Sequence, residues 1–314
     1  MTDNNGPRGG SLQFYPRVRA KKILPRVNWG ALTKERGLLA FIGYKAGMKS
    51  AFVKDNTPNS MTKGQRIIIP VTVIECPTMK IFSIRFFKDK KLIGEVLNEE
   101  ADKELKRKLK LPKQIKKKIE DFTEADDLRI IVYSQVKKTG IKKTPDISEI
   151  GLTGSYDEKL EFVKANLKKE ISIKDVFASE LVDVHGVTKG KGTQGPMKRY
   201  GLTLRSHKSE KGRRGPGSGG PWHPSRVSFR EPKAGQMGYF TRIVYNSKIV
   251  SMGNINEKDI NPSSGFKHFG KIKTDYVLIM GSVQGPVKRQ LLISAPSRGH
   301  KTQSKKNYEL IELR

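Results

Sequence analysis

Between Gly186 and Gly235 the chain reads GVTKGKGTQGPMKRYGLTLRSHKSEKGRRGPGSGGPWHPSRVSFREPKAG. These 50 residues carry 12 lysines and arginines but only two acids, Glu210 and Glu231, along with 11 glycines and five prolines. Burial of so few apolar side chains cannot offset the entropy of ordering the segment by itself. It is no passive linker either, because Trp222 stands between Pro221 and the pair His223–Pro224. The composition predicts an extension that orders against a polyanion. Its flanks decide the fold. Residues 180–189 (ELVDVHGVTK) read as a strand, and Met237–Val250 (MGYFTRIVYNSKIV) reads as a β-hairpin turning near Asn246–Ser247. The extension therefore leaves and re-enters a β-domain, with both ends rooted.

The whole chain has 314 residues and a net charge of +31. That length suits two domains, and so large a field on a soluble protein calls for an anionic partner: nucleic acid, an anionic membrane face or an acidic protein. No apolar run approaches the roughly 20 residues of a membrane span, and the N-terminal MTDNNGPRGG lacks the apolar centre of a signal peptide. The single cysteine, Cys76, excludes an internal disulfide and any zinc cluster built on thiolates. Cytoplasmic residence is the expectation.

Residues 1–36 set Arg8, Arg17, Arg19, Lys21, Lys22, Arg26, Lys34 and Arg36 against Asp3 and Glu35, with Phe14, Tyr15 and Trp29 interleaved. Cations among aromatics without periodicity suit a tail laid along a phosphate backbone; the plain alternative is a solvated tail. Leu38–Tyr44 (LLAFIGY), Ile67–Ile74 (IIIPVTVI) and Lys80–Phe87 (KIFSIRFF) are apolar runs of strand length, with Pro70 favouring an edge or a bulge. Such a series points to a barrel or sandwich. From 98 to 179 the pattern changes. Asn98 is placed to cap a short helix through about Lys110, with Ala101, Leu105 and Leu109 four apart. Lys113–Lys118 reads as a solvated basic face and Asp127–Gln135 as a buried strand. Ser155 and Glu158 form a capping box before a helix to about Lys169 that puts Tyr156, Leu160, Val163 and Leu167 on one face. Ile171–Phe177 adds a strand–helix piece. This is an α/β unit interrupting a β pattern, hence an insertion. Further on, Asp275–Ile293 reads as a second hairpin around Gly281–Pro286, and Ser297–Lys306 as a basic tail.

Catalytic signals fail on spacing. GYKAGMKS at Gly43–Ser50 separates its glycines by three residues and places Met48 before Lys49, whereas a phosphate loop needs four residues and then Gly-Lys-Ser/Thr. His185, His207, His223, His268 and His300 never pair at metal-ligand spacing. No Gly-x-Ser-x-Gly elbow occurs, and Cys76 reads as a small buried residue. An enzyme using the β-domain as a catalytic core thus finds no site. A membrane-surface binder would need a basic amphipathic helix, and the nearest, Lys103–Lys118, is interrupted by Pro112.

The positive signals lie in the extension. Glycine lets backbone approach phosphate and sugar with no Cβ in between. Lys189, Lys191, Lys198 and Arg199 supply phosphate partners, and the planar forks of Arg205, Arg213, Arg214, Arg226 and Arg230 suit folded RNA with splayed bases. Trp222 either stacks on a base or anchors its own loop on Pro221 and Pro224. His207 and His223 read as hydrogen-bond donors. Without a helix-turn-helix, zinc finger or basic helix, charge spread over two tails and a loop favours crevices of RNA over a regular DNA groove.

Five stretches resemble signatures of the universal large-subunit ribosomal proteins of the L-three family: Gly43–Met48 (GYKAGM), Val187–Tyr200 (VTKGKGTQGPMKRY), Gly219–Val227 (GGPWHPSRV), Ala234–Tyr239 (AGQMGY) and Gly281–Gln290 (GSVQGPVKRQ). The GPWHP form and the length look like the archaeal branch, without the long eukaryotic C-terminal addition. The run Glu210–Gly220 is glycine-richer than in some relatives. The resemblance implies a mainly β fold: a six-stranded translation-factor-like β-barrel with an inserted α/β domain and long basic rRNA-binding extensions. The expected boundaries are an N-terminal extension at 1–36, barrel at 37–79, insertion at 80–178, barrel at 179–189, a central finger at 190–235, barrel at 236–296 and a C-terminal tail at 297–314. The resemblance implies a structural, non-catalytic constituent that binds large-subunit rRNA, supports early assembly and directs a finger tip, Lys211 to Pro224 with Trp222 foremost, toward the peptidyl transferase centre. The implied partners are large-subunit rRNA and neighbouring ribosomal proteins, with no cofactor, metal, membrane or small-molecule substrate. The expected rRNA-binding set is Arg17, Arg19, Lys21, Lys22, Lys189, Lys191, Lys198, Arg199, Arg205, His207, Lys208, Lys211, Arg213, Arg214, Trp222, His223, Arg226, Arg230, Lys233, Arg298 and Lys301.

Overall fold

The computed structural model describes residues 11–32, 37–112, 117–122, 124–177, 181–209, 212–223 and 225–314. Asp3, Arg8, Lys34, Glu35, Arg36, the first four residues of the Lys113–Lys118 face, Glu210, Lys211 and Pro224 lie outside the described residues. The chain forms two units. The larger comprises Leu24–Gly186 and Arg242–Arg314, and the smaller comprises the N-terminal residues through Ile23 and Val187–Thr241.

In chain order the larger unit begins with strands β1 (Gly37–Leu38), β2 (Ala40–Asp55), β3 (Arg66–Cys76), β4 (Met79–Lys88), β5 (Lys91–Leu97), β6 (Asp127–Ser134) and β7 (Ile147–Thr153). Helices α1 (Tyr156–Asn166) and α2 (Ile173–Val176) and strand β8 (Leu181–Val187) follow. The smaller unit contributes β9 (Thr193–Gln194), α3 (Pro196–Tyr200) and β10 (Gly235–Gln236). Strands β11 (Thr241–Asn254), β12 (Asp275–Met280) and β13 (Gln290–Ser294), helix α4 (Lys301–Ser304) and strand β14 (Tyr308–Leu313) complete the chain.

The chain is mainly β. One sheet runs β13-β8-β11-β12-β3-β2-β14, and β13 also pairs with β2, so six strands pair in a closed circuit. The run LLAFIGY explains why β2 lies at its centre, since Leu39 to Tyr44 are all buried. A Cβ on Gly43 would sit 2.6 Å from Ile74 Cγ2, so only glycine lets β2 pass that close. The strand continues through GYKAGMKS with a bulge between Lys45 and Gly47, and from Lys45 to Lys54 it pairs with β3, so that stretch is a strand and no phosphate loop. Cys76 ends β3 fully buried, and burial pushes its thiol up. Pro70 sits inside β3, yet the β12 ladder stops at Met280↔Val71 and Gly281 N then donates to Pro70 O at 2.8 Å. In a strand the nitrogen and oxygen of one residue point to the same side, so the missing N–H falls where β3 has become an edge.

A second sheet, ordered β1-β7-β6-β4-β5, is built mostly from residues between 79 and 153. Helix α1 starts as its capping box dictates: Glu158 N donates to Ser155 Oγ at 3.3 Å and Ser155 N to Glu158 Oε2 at 3.2 Å. Val163 is buried, with Tyr156 and Leu167 packed against the core. Tyr44 of β2 links the two sheets: its hydroxyl donates to Asp146 Oδ2 at 2.6 Å and lies 2.7 Å from Ser134 Oγ.

Several elements differ from the sequence reading. Asn98 caps no helix. Its amide is buried, donating to Ile81 O and Leu167 O at 2.9 and 2.8 Å, and only a short 3-10 turn, Lys103–Arg107, follows. Leu105 is buried there with Phe82, Ile131 and Tyr133, which accounts for the apolar spacing. Met237–Val250 is no hairpin. Strand β11 runs straight through Asn246, which takes φ 52° while its N–H donates to Asp183 Oδ1 at 2.8 Å. Asparagine tolerates that conformation in a kinked strand as readily as in a turn. Likewise β12 and β13 never pair; they belong to opposite sides of the circuit. The loop between them is pinned instead, since Lys45 Nζ donates to Val283 O at 2.5 Å and Gly285 O at 3.2 Å. Gln284 Nε2 in that loop donates to Val184 O at 2.7 Å and Arg242 O at 3.1 Å, joining β8 to β11. The C-terminal residues are not all tail, because β14 pairs with β2, and Tyr308, Leu310 and Leu313 pack on the core. Trp29, read as part of a basic tail, is buried in the larger unit.

Candidate nucleic-acid interface

The smaller unit has almost no aliphatic interior, and other chemistry holds it. At the root of the extension two chain segments run side by side. Thr188 N donates to Phe240 O at 3.0 Å, Lys191 N to Met237 O at 2.9 Å and Met237 N to Gly192 O at 2.9 Å. Beyond them β9 pairs with β10, Gln194 opposite Gly235. Gly238 permits the approach: it takes φ +70°, and a Cβ there would lie 2.1 Å from Lys189 O. Helix α3 follows from its own residues, with Pro196 in the first turn and Gly201 closing it at φ 72° with its N–H on Met197 O.

Residues 15–20 pack into this root. The Arg17 guanidinium lies 4.4 Å from the centroid of the Tyr200 ring and 5.2 Å from that of Tyr15. Its Nη1 donates to Arg199 O at 3.4 Å, and the two tyrosine hydroxyls are 3.2 Å apart. Arg199 reaches across the root, donating from Nε to Gln236 O and from Nη1 to Lys233 O, both at 3.0 Å. Arg19 lies 5.0 Å from the Tyr239 ring centroid, and Ala20 N donates to Tyr239 O at 2.8 Å. Each cation–π contact contributes about 0.5–2 kcal/mol, more as water is excluded. Arginine–tyrosine sandwiches and carbonyl hydrogen bonds thus replace a core, and burial raises the Tyr200 hydroxyl above its ordinary value.

Past Gly201 the described residues are mostly exposed. Arg205 N donates to Arg213 O at 3.1 Å, and Arg213 Nε returns a bond to Arg205 O at 3.2 Å. At the tip, Ser225 gives its N–H and its hydroxyl to Trp222 O, at 2.8 and 3.1 Å. The carbonyl of Trp222 shapes the turn, whereas the residue as a whole is 86% exposed. Of the two readings of Trp222, packing on Pro224 falls outside the described residues.

Of the expected contact residues, Arg17 and Arg199 are half-buried in the intramolecular bonds above. Arg19, Lys21, Lys22, Lys189, Lys191, Lys198, Arg205, His207, Lys208, Arg213, Arg214, His223, Arg226, Arg230 and Lys233 are exposed in the smaller unit. Arg298 and Lys301 are exposed in the larger unit, near α4, whose first turn His300 caps by accepting from Gln303 N at 3.3 Å. Lys211 lies outside the described residues. The sequence reading passed over Phe229, 68% exposed and edge-on to Tyr15 at 5.8 Å. An aromatic between Ser228 and Arg230 in so polar a run was the available signal.

Charge pairing separates the two units. In the larger one a subset of the cations is matched: Arg85 contacts Glu95 and Glu149 at 3.0 and 2.7 Å, Arg129 contacts Glu149 at 3.1 Å, and Lys159 contacts Asp127 at 2.6 Å. Among the described residues, no lysine or arginine of 187–241 forms an ion pair with a carboxylate. No group of three histidine, cysteine or acidic side chains converges, and no helix is long and apolar enough to cross a membrane, again among the described residues.

The family described as Ribosomal protein L3 matches residues 1–314. Large ribosomal subunit protein uL3 of Methanocaldococcus jannaschii is 43% identical over 92% of this chain and 90% of its own length. The proteins of the same name from Archaeoglobus fulgidus and Methanococcus vannielii are each 42% identical, over 90% and 94% of this chain and 89% and 92% of theirs. The chain belongs to the ribosomal protein L3 family.

Proposed function

We propose that the protein is a non-catalytic, structural constituent of the large ribosomal subunit in the cytoplasm, binding large-subunit rRNA through its finger and basic termini. The observation that carries this reading is the charge of residues 187–241, 12 lysines and arginines against two acids with no ion pair to a carboxylate among the described residues, which calls for phosphate. Exposed arginines and an exposed Trp222 ring add planar surfaces for unstacked bases. Membership of a family whose curated members are named for the large subunit supports the same conclusion. On this reading the closed strand circuit is a six-stranded barrel of the translation-factor kind. Residues 80–178 are an inserted α/β domain, and residues 190–235 are the finger, with Trp222 foremost and directed toward the peptidyl transferase centre. Neutralising phosphates where helices converge lets the RNA close, a role in early assembly, beside neighbouring ribosomal proteins.

Deletion of residues 190–233 tests this. The remaining protein should bind rRNA far more weakly and with a shallower dependence of log K on log salt. An unchanged slope would overturn the proposal. Co-sedimentation with the large subunit through a high-salt gradient is the second expected outcome.

A further inference from the structure

Within the smaller unit, residues 219–221 and 226–231 line a cleft of about 580 Å3, within the roughly 300–1,000 Å3 of small-ligand sites. Val227 and Phe229 are 47% and 68% exposed, large apolar surfaces in an otherwise polar segment, with one edge of Phe229 against Tyr15. Arg226 and Arg230 also line it, both exposed, with the Arg230 guanidinium 5.7 Å from the Phe229 ring centroid, where it can move aside onto phosphate. Gly220, which also lines the cleft, holds φ +126° and has nothing within 4 Å of where a Cβ would be, so a planar group can lie against bare backbone. Glu231 also lines the cleft. It is one of only two acids among the 50 residues from Gly186 to Gly235, and it is half-buried with no ion pair among the described residues.

A carboxylate set among cations that face phosphate is a liability unless it accepts hydrogen bonds from the ligand. We infer that this cleft is a nucleobase site selective for an unstacked guanine, whose N1–H and N2–H2 both donate to the Glu231 carboxylate while the ring lies against Phe229. Guanine is the one base whose Watson–Crick edge offers two adjacent donors; adenine and cytosine offer a single amino group, and uracil a single imino N–H. Arg226 and Arg230 take the flanking phosphates. The inference rests on the rRNA-binding reading and adds a base preference to it.

The test uses the full-length protein and labelled pentaribonucleotides UUXUU, with X guanine, inosine, adenine or cytosine, at a salt concentration where uniform phosphate binding is weak. Guanine should bind about tenfold more tightly than adenine, with inosine, which lacks the 2-amino group, in between. Glu231→Gln should abolish the preference without weakening binding of the adenine pentamer. Phe229→Ala should weaken all four, and Phe229→Tyr should restore them. Equal binding of the four pentamers, or a guanine preference that survives Glu231→Gln, overturns the site. Either result, alongside an intact salt slope lost on finger deletion, sinks the guanine site alone; loss of that slope effect sinks the wider reading as well.

Discussion

Trp222 shows how exposure separates folding from function at a single residue. Its ring buries little, so Trp222→Ala should leave thermal unfolding unchanged to within about 0.5 kcal/mol. The same change should weaken rRNA binding by roughly 1–3 kcal/mol, measured by titration at fixed salt. Glu75 is the opposite case, buried and far from any RNA role. Its Oε1 accepts from Lys273 N, Thr274 N and Thr274 Oγ1 at 2.8, 3.2 and 3.2 Å, while Oε2 has no partner among the described residues. Burial outweighs these bonds and pushes the carboxyl above the ordinary glutamate value of about 4.3. The folded state then holds the proton more tightly than the unfolded chain. The associated stability is complete below the unfolded value and is lost as pH rises through the raised one. Denaturant midpoints of the wild type, relative to Glu75→Gln, should therefore fall as pH increases from about 4; a difference independent of pH would contradict this.

At the scale of elements, the root of the finger depends on a few non-aliphatic contacts. Gly238→Ala forces a Cβ toward Lys189 O and should cost more than about 1 kcal/mol locally. Hydrogen exchange at the Thr188, Lys191 and Met237 amides reads that cost directly. Arg17→Ala should speed the same amides and leave the melting of the larger unit unchanged, because Arg17 is stacked between Tyr15 and Tyr200 of the smaller one. Composition reached only part of this. Counting apolar residues found too little to order the segment, and it could not weigh arginines packed on tyrosines from a part of the chain more than 170 positions away. Runs such as LLAFIGY and the Ser155–Glu158 box were legible because their information is local. Asn246 and the loop after Met280 were misread for the converse reason: turn chemistry marks where a chain can bend, while partners distant in sequence decide whether a strand pairs with its neighbour.

At the scale of the molecule, the charge asymmetry was the most legible feature, since +31 and a glycine-rich basic stretch need no fold to be noticed. The candidate contacts were legible as residue types; that Arg17 and Arg199 are turned inward was not. The role of the last residues was hidden too. Removing Asn307–Arg314 should lower the melting temperature by several degrees, because β14 pairs with β2 from Ala51 to Asp55. A basic tail with no other role could be cut without that loss.

The closure of the strand circuit has a consequence for the order in which the protein is made. Strand β2, at residues 40–55, is completed by β13, at residues 290–294. Such distant pairing is slow, and during synthesis it must wait until nearly the whole chain has emerged. Residues 187–241 come out earlier, so this cationic segment is exposed before the strand circuit is sealed. A nascent chain halted at residue 289 should accordingly be cut by protease within β2 and β3, whereas release of the remaining residues should protect them. Folding would then close last in the strands that were made first and last.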